Sequence, residues 1–374
     1  MQFREFAQAL VITLAAMLVS ALLYSLYVFG RAGVSPVDLF YQIYRGGMGT
    51  PTSIADTLAR SAPLILTALC TALPMRVGLI NIGGEGALIA GGLAGAMMGL
   101  AFPGSSPLFV QICMAFAGMC AGGLLIAAVG WLRNSRGVNE TISSLLLYYI
   151  VVNVFNYLVE GPLRDPESLN KPSTYKIPDE VMLGNIVPEQ GAIRDFLLSL
   201  GDWMKIFEDV NVGFLIGIAF CVFAYLLMYH TTFGFAASMI GGNVKAAQAS
   251  GLAVGWIIFI TCSLAGAAAG LAGMVQIGTS QQQANASLYS NAYGFQGILV
   301  SFLARHHPLA IIPVAILFGC LDASGGIVQR TLLLPDSSLR VFQGVMFIVI
   351  LLFETFYGRF RIFQPRLAKE AAPA

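Results

Sequence analysis

Charge is scarce in this sequence. Asp, Glu, Lys and Arg make up 10% of 374 residues, where a soluble globular protein carries roughly 25%. The hydrophobic fraction is 57%, more apolar surface than a soluble fold of this length can hide. A soluble enzyme is thereby excluded, and so is disorder, which needs the opposite composition. A net charge of +1 offers no basic surface for nucleic acid. The dipeptide Gly-Lys does not occur, which excludes a phosphate-binding P-loop. His230, His306 and His307 are too few for a metal centre, and no cofactor site is expected. Cys70, Cys113, Cys120, Cys221, Cys262 and Cys320 form no CxxC pair and all fall in apolar stretches. They read as small apolar side chains, not as disulfides or ligands. No apolar stretch carries the repeated acids or arginines of a proton relay or voltage sensor. Uphill transport by this chain would need energy from another subunit.

What is present is long charge-free sequence. Phe6–Gly30, Gly86–Leu132, Val210–Val244 and Ala246–Ala304 contain no Asp, Glu, Lys or Arg. A bilayer core of roughly 30 Å takes about 20 helical residues, and only helices or closed barrels satisfy the backbone in lipid. The runs are continuous and do not alternate with period two, which favours helices. The expected fold is an all-α polytopic transmembrane bundle. Spans are predicted at 7–29, 54–75, 79–100, 108–131, 141–160, 212–230, 252–276, 292–304, 309–328 and 341–357. Ten is the preferred count, with eight or nine the alternatives, because 292–304 is short enough to be a half-helix. The first run is longer than the apolar core of a signal peptide and reads as a retained span.

The remaining charge sets the orientation. With the N-terminus inside, the inner segments hold Arg4, Arg76, Arg133, Arg136, Lys245, Arg305, Arg359, Arg361, Arg366 and Lys369, with few acids. The long loop 161–209 then lies outside. Its acids (Asp165, Glu167, Asp179, Glu180, Glu189, Asp195, Asp202, Glu208, Asp209) outnumber its bases (Arg164, Lys171, Lys176, Arg194, Lys205). This is the positive-inside pattern and places both termini in the cytoplasm. Within that loop Ile193, Phe196, Leu197, Leu200, Trp203, Met204 and Phe207 recur at steps of three and four, an amphipathic outside helix. The organisation expected is one transmembrane domain over 1–374, with an extracytoplasmic loop at 161–209 and a cytoplasmic loop at 231–251.

Four segments carry more specific information. Residues 76–92 are glycine-rich, permitting close backbone approach or a break in the helix. They place Asn81 and Glu85 four apart on one helix face. Glu85 reads either as a residue that caps or pairs near Arg76 or as a contact to solute. In residues 137–150, Asn139 is positioned to cap a helix and Glu140 to sit in its first turn. Tyr148, Tyr149, Asn153 and Asn156 follow, polar and aromatic groups suited to line a path for a polar ring compound. Residues 231–251 are rich in small residues. Asn243 is placed to cap a short helix ending near Gly251, with Ala246 and Ala247 leaving room for a partner's groove. Residues 291–309 follow the uncharged Gln281-Gln282-Gln283-Ala284-Asn285, and Gly294 and Gly297 again permit a broken or tightly packed helix.

In this order the segments resemble the permease subunits of bacterial ABC importers for simple sugars and nucleosides, within the ribose and branched-chain amino acid permease group. The resemblance covers most of residues 50–330. GLINIGGEGALIAG resembles the family's phenylalanine-asparagine-isoleucine-glycine…glutamate-glycine signature, with Ile80 in place of the phenylalanine. RGVNETISSLLLYYI resembles its glycine-x-asparagine-glutamate stretch, with Tyr148 or Tyr149 where asparagine is usual. IGGNVKAAQASGL is similar to its coupling-loop motif. GFQGILVSFLARHHPLA is similar to its glycine-phenylalanine…leucine…proline motif, although Gln296 and Ser301-Phe302-Leu303-Ala304 depart from the common form. These departures bear on the solute more than on the fold.

The resemblance implies a permease that moves a nucleoside or simple sugar inward by alternating access. It implies two ATP-binding subunits that hold the ATP, a second homologous permease, and an extracytoplasmic solute-binding protein or lipoprotein. Residues expected on or beside the solute route are Asn81, Glu85, Tyr148, Asn153, Gln276, Gln283, Phe295 and Gln296. Those expected at the ATPase contact are Gly242, Asn243, Lys245, Ala246, Ala247 and Gly251. The alternatives are a branched-chain amino acid as solute, or an ion- or proton-coupled secondary transporter working without ATPase subunits. The protein is expected in the bacterial inner membrane, embedded in lipid and with no nucleic-acid partner.

Overall fold

A computed structural model of the chain describes residues 2–168, 171–187, 199, 209–335 and 337–359. In chain order the helices are α1 (Gln2–Ala32), α2 (Pro36–Met48), α3 (Pro51–Met75), α4 (Gly84–Ala101), α5 (Pro107–Arg136), α6 (Glu140–Glu160), α7 (Val212–His230), α8 (Thr232–Gly242), α9 (Val244–Ala249), α10 (Val254–Gln276), α11 (Ser287–Ser290), α12 (Tyr293–Leu303), α13 (Pro308–Leu332) and α14 (Ser337–Arg359). A π-helical turn, Ile277–Gln281, extends α10.

Among the described residues, eight helices are long and apolar enough to cross a membrane: α1, α3, α4, α5, α6, α7, α10 with its π turn, and α13. Eight lies within the expected range of eight to ten. The segment 292–304 forms α12, whose 11 residues reach about 16 Å at 1.5 Å each, half a bilayer. It is the half-helix alternative. The segment 341–357 lies in α14, a helix of 23 residues whose described apolar stretch is Ser337–Phe353. The third span begins later than expected, because residues 79–82 are not helical. The amphipathic helix expected at 193–207 lies outside the described residues. Helix α2 was not anticipated, although Leu39 and Ile43, both buried, and exposed Val37, Tyr41 and Tyr44 give it two distinct faces.

The chain divides into two compact units. The first comprises Met1–Gly46 and Ser324–Ala374. Tyr24 of α1 stacks on Phe342 of α14 at 4.7 Å between ring centroids, and Phe40 of α2 meets the same ring edge-on at 6.5 Å.

The second unit, Gly47–Ala323, is built on a glycine seam joining α4, α5 and α10. A Cβ on Gly270 would overlap the Gly118 carbonyl, one on Gly266 the Gly122 carbonyl, and one on Gly273 the Leu88 carbonyl. Lipid gives little hydrophobic drive to helix association, so close backbone approach and dense packing hold these helices together. On one side of the bundle, the loop 171–187 is laced to the chain beyond α10. Leu183 N–H donates to Gly278 O at 2.7 Å, Ile177 N–H to Gln282 O at 2.8 Å and Thr174 N–H to Ala284 O at 3.0 Å. On the other side, contacts link Arg76 to Tyr229 and Ser238, Tyr229 to His307, and Arg133 to Glu140.

Candidate functional site

The site begins where α3 stops. Pro74 lies in its last turn, and the N–H groups of Val77 and Leu79 both return to the Pro74 carbonyl. Gly78 then takes a positive φ of 76°, a turn for which glycine carries no Cβ penalty. Asn81 closes the break. Its amide donates to Cys70 O at 3.1 Å, and its Oδ1 accepts from Gly83 N–H at 3.1 Å. Asn81 is only 2% exposed. Both its polar ends are engaged within the chain, so it shapes the break and presents nothing to a solute.

Glu85 follows in the first turn of α4 and is fully buried. Its carboxylate accepts from Gly294 N–H at 2.5 Å, and the neighbouring Phe295 N–H also faces it. These groups open α12, whose N-cap residue, Ala292, supplies no side-chain cap. The first N–H groups of a helix have no intrahelical acceptor and carry partial positive charge. From another helix, Glu85 accepts one of them, Gly294 N–H, and faces a second, Phe295 N–H. A capping role was one of the two sequence readings of Glu85, but the partner is α12 and not the neighbourhood of Arg76. The fit is tight, since a Cβ on Gly294 would overlap the Glu85 backbone. Thr67 of α3 adds a second tie, donating to Tyr293 O at 3.0 Å.

Beside this junction stands α6. Asn139 caps it, accepting from Ile142 N–H at 3.0 Å, as its position suggested. Tyr148 packs edge-on against Phe295 at 5.2 Å and lies against Gly86, where a Cβ would meet its Cα at 3.0 Å. One helical turn further on, Asn153 is exposed on the bundle surface, its amide donating to Tyr149 O at 2.7 Å. Asn156 accepts from Tyr289 Oη at 3.3 Å, and Tyr289 also meets Phe155 edge-on. Ile142, Leu146, Tyr149, Ile150 and Tyr157 are all more than half exposed. Helix α6 therefore presents an uncovered face that mixes apolar, aromatic and amide groups. Tyr289 and Asn156 form a contact that the sequence reading did not pair, because they lie 133 residues apart.

The glutamines divide. Gln276 is buried at the end of α10, its Oε1 3.5 Å from Ser280 Oγ. Gln296 is buried on α12, its amide 3.4 Å from Asn291 O. Gln283 is half-buried in the loop laced to residues 171–187. Tyr148, Phe295 and Glu85 thus belong to one cluster, and Gln276 and Gln283 belong to the opposite end of α10 and its extension.

The segment 231–251 forms two short helices. Asn243 caps α9, accepting from Ala246 N–H at 3.1 Å, and Gly251 turns the chain at φ 79°. Gly242, Asn243, Lys245, Ala246 and Gly251 are exposed, but Ala247 is wholly buried within this chain. Ala247 offers no surface to a partner. An arginine there would disrupt this chain first, so Ala246 and Gln248 are the positions that report on a contact.

The family described as branched-chain amino acid transport system / permease component matches residues 53–351. The chain belongs to that family. The permease is 30% identical to the glucose ABC transporter permease protein TsgB13 of Haloferax volcanii, over 88% of this chain and 83% of that one. It is 26% identical to the nucleoside ABC transporter permease protein NupB of Lactococcus lactis, over 85% of this chain and 86% of the relative. It is 27% identical to the guanosine ABC transporter permease protein NupP of Bacillus subtilis, over 77% and 78%. The permease is a multi-pass inner-membrane protein and the transport component of an ABC system. Its expected identity as a transporter subunit and its helical fold are both established.

Proposed function

We propose that this permease moves a nucleoside or simple sugar inward by alternating access. The observation that carries this reading is the uncovered aromatic and amide face of α6 beside the Glu85–α12 junction. A membrane helix that presents Asn153 and Tyr149 outward needs a polar neighbour there. A second permease enclosing a solute path supplies one. Aromatic faces stack on rings, and amides hydrogen-bond to ring edges or hydroxyls. Tyr148, Asn153 and Phe295 border the route. Glu85, Asn81 and Gln296 hold the backbone that shapes it, while Gln276 and Gln283 line its outer approach.

Power comes from two ATP-binding subunits, which hold the ATP. The permease carries no ATPase site or cofactor of its own. The exposed face of α9 around Asn243, Lys245 and Ala246, with Gly242 and Gly251 at its ends, is the ATPase contact. An extracytoplasmic solute-binding protein or lipoprotein delivers solute at the face that carries loop 171–187. The names of the relatives support glucose, nucleoside and guanosine as solutes to test.

The test is uptake of labelled guanosine, glucose and leucine by the assembled transporter in proteoliposomes with ATP inside or absent. ATP-dependent uptake of guanosine or glucose is the expected result. Uptake of leucine alone would overturn the solute assignment, and uptake driven by an ion gradient without ATP would overturn the mechanism.

A further inference from the structure

We propose that residues 76–83 act as a strap that carries displacement of α8 and α9 to α6 and α12. The proposal rests on reading α9 as the ATPase contact and α6 with α12 as the border of the solute route. The strap is fastened at three places.

The first is the contact with α8. Gly241 has no room for a methyl group, because a Cβ there would overlap the Arg76 carbonyl. From the other side, a Cβ on Gly78 would lie 3.5 Å from Gly241 Cα. The Arg76 guanidinium lies 3.9 Å from the centre of the Tyr229 ring, with Nη1 3.5 Å from Ser238 Oγ. Backbone packed on backbone at this distance cannot absorb a displacement, so a shift of α8 is passed on.

The second fastening is to α6. Non-helical backbone leaves N–H and C=O groups that must find other partners. Here the partners are side chains within the first two turns of α6. Ile80 N–H donates to Glu140 Oε1 at 3.5 Å, Thr141 Oγ1 donates to Ile80 O at 3.1 Å, and Ile82 N–H donates to Ser144 Oγ at 3.2 Å. The third is Glu85, directly beyond the strap, which accepts from the N-terminus of α12. One non-helical segment thus joins the α8–α9 element to both helices that carry the Tyr148–Phe295 contact. Thr141 and Ser144 are positioning residues in this scheme, as is Arg76.

The test uses the full transporter with its ATP-binding subunits, in a background lacking the native cysteines and carrying Ile150→Cys as a reporter on the exposed face of α6. The labelling rate of that cysteine is measured before and after vanadate trapping of the ATPase. Thr141→Val with Ser144→Ala removes two hydrogen bonds between strap and α6 and leaves the surface of α9 untouched. ATPase co-purification and basal hydrolysis should stay at the unsubstituted level, while the vanadate-induced change in labelling shrinks about tenfold. Thr141→Ser, which keeps the hydroxyl, should retain the full change. A merely structural role would lower the yield of protein and leave the change intact.

A change of full size in the doubly substituted protein overturns the proposal, and so does the absence of any vanadate-induced change with the strap unaltered. If the double variant does not accumulate, Arg76→Gln at the far end of the strap is read by the same two results. Ala246→Arg tests the ATPase contact separately, by co-purification alone. Retained ATPase there defeats the reading of α9 and is not mistaken for failure of the strap.

Discussion

Glu85 and Glu140 each stand in the first turn of a membrane helix, and the permease accommodates them in different ways. Glu140 finds Arg133 seven residues earlier, at 3.3 Å. It sits where α5 hands over to α6, beside its own helix N-terminus, and Arg133 is 44% exposed. Glu85 is wholly buried and accepts from a helix 209 residues further along the chain. The first acid is held chiefly by a near neighbour at the edge of the bundle, with a longer contact from Ile80 N–H at 3.5 Å. The second is a long-range fastening in its interior. Two carboxylates with the same local sequence position therefore differ widely in what their loss should do.

The contrast can be broken most forcefully at Gly294. Gly294→Val drives a branched side chain into the Glu85 backbone and should cost about 3 kcal/mol or more. The expected outcome is loss of the monodisperse protein in detergent size-exclusion chromatography. Glu85→Ala should come next, at about 2–4 kcal/mol, because it leaves buried N–H groups of α12 without an acceptor. A thermal-stability scan of the purified protein checks it, and an unchanged midpoint would mean that the junction is not the fastening described.

Glu85→Gln sharpens the comparison, because the amide oxygen still accepts one N–H. Assembly should persist at a cost of about 1 kcal/mol. Uptake then reports whether the charge itself serves transport, and normal uptake would remove Glu85 from any role on the route. Glu140→Gln should cost less again, about 0.5 kcal/mol, since its partner is solvated and such pairs are weak. A loss as large as that at Glu85 would erase the distinction between the two acids.

The smallest effect concerns pH. His306 and His307 follow α12, and burial holds both imidazoles below the ordinary value of 6.5, with Arg76 adding to the effect at His307. The folded state therefore favours their neutral forms. Their contribution to stability is complete above pH 6.5 and declines as pH falls below it towards the lowered values. A modest fall in melting temperature between pH 7 and pH 5.5, reduced in His307→Gln, is the expected reading. Topology has its own check: Ser168→Cys should react with an impermeant thiol reagent from outside, and Ser135→Cys should not.

Much of the fold was legible because lipid imposes long apolar helices, and charge counts alone located most of them. The caps were legible too. Asn139 and Asn243 act on N–H groups three residues away, a distance that sequence displays directly. The candidate site was legible as a set of segments and illegible as a geometry. Glu85 could be seen to need a partner, but nothing local names α12. Tyr289 and Asn156 meet only because the chain beyond α10 folds back beside α6. Ala247 looked like a contact residue because alanine is small, and smallness serves burial within a chain equally well. Helix α2 escaped notice because 13 residues with interspersed charge fall below the length that marks a span.

The Glu85–α12 junction also bears on how the chain is made. Translation at about 5–20 residues per second delivers α4 to the membrane well before α12 exists. The 209 residues between Glu85 and Gly294 take about 10–40 s at that pace. Throughout that interval a carboxylate destined for the interior has no helix terminus to receive it. Hydrocarbon is a costly place for it to wait. Contact with water or the insertion machinery, or a proton taken up by the carboxyl group, would lower that cost in the half-built permease. The helix terminus that finally receives the carboxylate arrives only with the last third of the chain.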